Sequence, residues 1–132
     1  MENKIIRVSY NDYLLLKDAQ FSKDSVFLAE IEGKRIKTLQ DYLSTVNRIL
    51  EFPIPTHGLD GYQDWIRDLS WLNSEEYVIV IKDFKFFLSG DSRARTLILE
   101  SFENTVLPWW QSEIEQFQVE GKAKPFNVYL VD

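Results

Sequence analysis

The chain has 132 residues, 45% of them hydrophobic and 14% aromatic, enough for one domain-sized core, residues 1–132. It carries a net charge of −6 and no cysteine, which excludes disulfides and thiolate chemistry and suits a reducing cytoplasm. No apolar run approaches the roughly 18 residues of a membrane span, and MENKIIRVSY does not read as a secretion signal, because its charges are mixed and no apolar stretch follows.

Residues 1–23 leave their structure open: IIRVSY (5–10) suits a strand and NDYLLLKD (11–18) a turn leading into a short helix. VFLAEIEGK (26–34) predicts a strand ended by Gly33. A helix follows, with Thr38 as N-cap and Asp41 completing an approximate capping box. Leu39, Tyr42, Leu43, Val46, Ile49 and Leu50 form its apolar stripe, and Pro53 and Pro55 are expected to end it. THGLDGYQDWIRDLSWL (56–72) predicts a second helix. At roughly 100° per residue, Asp60, Asp64 and Asp68 share one arc and Leu59, Tyr62, Ile66 and Leu69 the opposite one. Trp65 falls on the border, and His57, if helical, within the acidic arc. The apolar arc is expected to be buried and the three aspartates exposed.

YVIVIKDF (77–84) reads as a strand buried on both faces, and FKFFL (84–88) as a short helix. Gly90-Asp91-Ser92 is a turn and cap signal before a helical face of Leu97, Ile98, Phe102, Thr105 and Val106. Pro108 should break or kink that helix, with Trp109, Ile114 and Phe117 continuing it. GKAKP (121–125) is a loop and FNVYLV (126–131) a last strand. Strands separated by helical crossovers pair in parallel. The reading is one α/β domain: a small three-stranded parallel sheet with about four helices, plus the N-terminal extension.

The charge is unevenly placed. Residues 1–50 carry eight Lys/Arg and seven Asp/Glu, while residues 51–132 carry seven and fourteen. That distribution argues against nucleic-acid binding, which needs a basic surface, and suits a cationic partner or simple solubility. No Gly-x-Ser-x-Gly and no glycine-rich phosphate loop is present. The one histidine, His57, with Asp60 and Asp64 on a single short segment, makes a poor metal site, and side-by-side carboxylates do not face each other across a cleft as an acid–base pair does. No enzyme, metal or cofactor is expected. Like charges at four-residue spacing disfavour a helix by about 0.2–0.5 kcal/mol per pair. The pattern therefore fits either a partner-binding patch bordered by Trp65 and His57 or a solvated face.

Leu59-Asp60-x-x-x-Asp64-x-Ile66-x-x-Leu69-x-Trp71, after Phe52-Pro53 and before a buried strand, resembles the barstar family of ribonuclease inhibitors. The resemblance covers about residues 24–132, with every element in family order; residues 1–23 have no match. It implies a barstar-like fold and an intracellular, bacterial immunity protein that blocks a ribonuclease toxin, its acidic helix standing in for RNA phosphates. Asp60 and Asp64 match the two helix aspartates that do this, Asp64 the deeper, and Glu103 is the nearest match to an acid on the later helix. The loop Phe52–Gly58 departs from the family: it is one residue shorter, lacks the aromatic and has Gly58 where Asn is expected. A toxin different from barnase is implied. A barstar-fold protein with a basic partner that is not a nuclease is the alternative.

Overall fold

The computed structural model describes all of residues 1–132. Strands β1 (Ile5–Val8), β2 (Val26–Glu32), β3 (Glu76–Lys82) and β4 (Phe126–Val131) form one sheet in the order β1-β4-β3-β2, every pair parallel. The expected three strands are thus four. The fourth comes from the N-terminal extension, where Ile5 pairs with Val128 and Val8 with Val131. Alternation alone did not settle this strand, because four residues give too few repeats. Buried Asn3 clasps it in place: its side chain donates to the Leu107 and Lys124 carbonyls and accepts from the Phe126 amide.

Along β3, Tyr77, Ile79 and Ile81 point into the main core, and Val78 and Val80 into a second, smaller cluster. Both faces of this strand are buried, as its unbroken apolar run predicts. The main face is covered by α2 (Leu39–Ile49), α3 (Leu59–Ile66), α4 (Ser92–Ser101) and α5 (Ile114–Phe117). The second face lies under α1 (Tyr10–Leu16) and its wide final turns Lys17–Phe21, through Tyr13 and Phe21.

α2 begins as its sequence predicts: Thr38 Oγ1 accepts from the Asp41 amide at 3.1 Å, and Asp41 Oδ2 accepts from the Thr38 amide at 3.1 Å. It ends before the two prolines, where Glu51 turns left-handed (φ 55°). At the end of β2, Gly33 lies against the Lys82 and Asp83 carbonyls, leaving no room for a Cβ. Pro108 does not stop the last helical region, which runs unbroken from α4 to α5. Wide turns at Phe102–Val106 and Trp109–Glu113 flank the proline, whose backbone stays helical. Such turns absorb the missing N–H and the ring clash that a proline brings.

Candidate functional site: an acidic helix face

α3 is held from three directions. Its apolar arc faces the core, where Tyr62 and Ile66 are completely buried, each contributing about 1.5–3 kcal/mol. Tyr62 and Tyr42 of α2 share a hydrogen bond of 2.6 Å between hydroxyls. Burial keeps both well above the usual tyrosine range; the neighbouring Tyr62 pushes Tyr42 further up, while the hydrogen bond with Tyr42 only partly offsets the burial of Tyr62, so the pair is neutral at any ordinary pH. The loop before α3 is fixed by α2: Asn47 donates to the Thr56 carbonyl (2.9 Å) and accepts from its amide (3.1 Å) and hydroxyl (2.8 Å), and Gln40 donates to the His57 carbonyl. Thr56 packs over Gly61, where a Cβ would come within 3.3 Å of its methyl.

The C-terminus of α3 is set by residues far along the chain. The last carbonyls of a helix have no partner inside it. Here Trp110 Nε1 donates to Ile66 O at 2.9 Å and Trp109 Nε1 to Arg67 O at 2.8 Å. Leu69 then turns left-handed (φ 53°), a strained state for a bulky residue, and is fully buried. The chain leaves the helix there, and two expectations change.

Asp68 does not continue the acidic arc. It lies beyond the helix, half-buried, and its Oδ1 accepts from the Ser70 amide at 3.1 Å. His57 likewise lies outside the helix, exposed in the preceding loop, with Gly58 as N-cap. Asp60 and Asp64 are exposed, as expected. Each acid has its own compensation. Asp60 sits in the first turn, where the helix dipole favours a negative charge. Asp64 Oδ1 meets Arg67 Nη2 at 3.3 Å, and Asp68 closes a turn. The like-charge cost feared from the spacing is therefore offset residue by residue.

Trp65 is half-buried on the border of the two arcs, its ring 5.3 Å from that of Trp71. Trp71 in turn packs edge-on against Phe52 and donates to Leu50 O at 2.9 Å. Glu103 is not brought to this face. Ser101 is the α4 residue turned toward α3, accepting from Gln63 Nε2 at 3.1 Å. Two residues along a helix is a swing of roughly 200°, and Glu103 lines a cleft beside Glu2, Lys4 and Arg7 of the N-terminal segment instead. The exposed acid one residue before Ser101 is Glu100. The wheel of residues 56–72 gave Arg67 no part in the face, yet it is the only lysine or arginine between Arg48 and Lys82, a signal visible in the sequence. No three His, Asp or Glu side chains gather to hold a metal ion, and no helix is long and apolar enough to cross a membrane.

Fold and face together define an α/β protein that presents a two-aspartate helix on a rigid core. The family model described as Barstar (barnase inhibitor) matches residues 26–130, and the chain belongs to the Barstar family. Residues 1–25, which supply β1 and α1, lie outside the match. Among curated proteins none matches the chain. The solved structure of the Aeropyrum pernix ORC2 protein (ADP form) is similar at 17% identity and a TM-score of 0.54. That likeness covers 98% of this chain, which spans 34% of the ORC2 chain, and it is a likeness of fold alone.

Proposed function

We propose that this chain is a non-enzymatic, stoichiometric inhibitor of a ribonuclease toxin, and that it closes the enzyme's active site with the outward carboxylates of α3. The observation that supports this most is the division of α3. Tyr62 and Ile66 are fully buried while Asp60 and Asp64 stand in water opposite them, in a chain of the Barstar family. An RNA-cleaving site is built from cations that hold phosphates. Two carboxylates one helical turn apart offer those cations a substitute, and a fixed array of charge-assisted bonds forms without rearrangement of α3.

Asp64, mid-helix, takes the central place, with Asp60 one turn before it. Trp65 supplies aromatic contact at their border, and His57 and Asp68 form the rim. Glu103 faces elsewhere, toward the N-terminal segment. Inhibition is occlusion: no bond is made or broken, and no cofactor, nucleic acid or membrane takes part. The setting is the cytoplasm of the toxin-producing bacterium. The shortened loop, pinned by Asn47 and Gln40, favours a toxin other than barnase.

The test is a titration of the pure chain into a ribonuclease encoded beside its own gene, and separately into barnase, reading RNA cleavage. Cleavage by the neighbouring enzyme should fall linearly and vanish at one equivalent, with weaker inhibition of barnase. Full cleavage at excess chain would overturn the proposal. A tight complex with a basic protein that is not a nuclease would favour the alternative reading of the same face.

A further inference from the structure

Arg67 is the one cation on the acidic face, and its guanidinium is held on three sides. Nε donates to the Gln63 carbonyl at 3.1 Å, the guanidinium lies 5.4 Å from the centre of the Trp109 ring, and Nη2 meets Asp64 Oδ1 at 3.3 Å. The Trp109 indole is itself anchored, through its N–H, on the Arg67 carbonyl. The two partners differ in exposure: the Arg67 side chain is 33% exposed and that of Asp64 75%. The arginine is thus tied to backbone and indole, while the carboxylate reaches into water with Oδ2 free of any protein partner.

An exposed ion pair of this kind adds little to folding. Its effect falls on the freedom of Asp64. A lone exposed carboxylate samples several rotamers, and a partner that uses it must stop that motion on binding. Lysine has no planar fork to bond a carbonyl and a carboxylate while stacking on an indole.

The geometry points to Arg67 as a positioning residue that holds the Asp64 carboxylate in one rotamer, ready for a partner's cation. The inference rests on the proposed role of Asp64 in binding, but the holding itself is a property of the free protein and is tested there. Three-bond couplings from NMR report the χ1 populations of Asp64 in the wild type, in Arg67→Ala and in Arg67→Lys, with Asp60 as internal reference. In the wild type Asp64 should occupy one dominant rotamer and Asp60, which has no such partner, an average of several. Arg67→Ala should leave Asp64 as averaged as Asp60, with the melting temperature nearly unchanged, and Arg67→Lys should restore little of the order. An averaged Asp64 in the wild type, or one unchanged by Arg67→Ala, overturns the inference. So does full rescue by lysine, which would show that charge alone sets the rotamer. Failure here leaves the ribonuclease titration untouched, and failure of that titration leaves the rotamer result standing, so the two can be told apart.

Discussion

The two faces of the sheet are covered by very different amounts of chain. On the main face, four helices bring Tyr42, Tyr62, Ile66, Phe102 and Trp110 over Ile79, Ile81 and Val128. On the other, Tyr13 and Phe21 are the only fully buried cover over Val78, Val80 and Val131, with half-buried Leu16 packed beside them. The main face is assembled almost wholly from residues inside the family match, whereas Tyr13 and Phe21 lie outside it. A parallel sheet must be covered on both faces, so the extension completes the fold. The second cover is also pinned by charge: Glu30 accepts from the Tyr13 hydroxyl at 2.6 Å and from Lys17 Nζ at 2.9 Å, and Lys82 lies 3.5 Å away.

The largest effect is expected from removing residues 1–23. That strips β1 from β4 and uncovers Val78, Val80 and Val131. At about 1.5–3 kcal/mol per aliphatic side chain, the three valines represent roughly 4–9 kcal/mol, against a typical total stability of about 5–15 kcal/mol. The truncated chain should be unfolded or aggregated by circular dichroism and size-exclusion chromatography. If it stays folded with its melting temperature intact, the thin cover is dispensable and the comparison fails.

Neighbouring residues of β3 compare the faces directly. Ile79→Ala, into the main core, should cost about 2–5 kcal/mol in urea unfolding. Val80→Ala, into the thin cover, removes fewer atoms where the lid can settle, and should cost about half as much. A larger loss from Val80→Ala would make the second face the tighter of the two.

Asp64→Ala separates binding from folding. Stability should change by less than about 1 kcal/mol, the range of an exposed ion pair. Binding to an inhibited ribonuclease should weaken by about 2–5 kcal/mol, a rule to which the barnase–barstar complex itself contributed. That is roughly thirtyfold to a few thousandfold in affinity. Calorimetry of both unfolding and binding decides. Equal losses in the two would return Asp64 to a structural role, and undiminished affinity would remove it from the site.

The smallest effect concerns acid. Burial pushes the Glu30 carboxyl up, but the bonds from Tyr13 and Lys17 and the nearby Lys82 outweigh it, and Glu30 ends below the usual glutamate value of 4.5. A group depressed in the folded state contributes stability above its unfolded value and loses it as pH falls through the folded one. The stability of the wild type should therefore drop as pH falls below about 4.5, and Glu30→Gln should flatten part of that slope in urea unfolding. An unchanged slope would show that the α1 cover is held by its apolar contacts alone.

Whatever depends on neighbours a few residues apart was legible in the order of the residues. The Thr38–Asp41 cap, the stripe of α2, the burial of Tyr62 and Ile66 and the double-sided run of β3 are all local patterns, and local patterns carry their own period. The exposure of Asp60 and Asp64 followed from the same wheel. Tertiary structure decided where those patterns stop and what they meet. α3 ends at Ile66 because Trp109 and Trp110, more than forty residues on, take its last carbonyls, and no wheel drawn on residues 56–72 contains that information. That ending moved Asp68 off the acidic arc. β1 became a strand only because Asn3 and the free edge of β4 were waiting for it. Glu103 faces the extension because Ser101 is the residue α3 holds. Each of these outcomes rests on a hydrogen bond or a strand pairing between distant segments, which only the folded chain brings together.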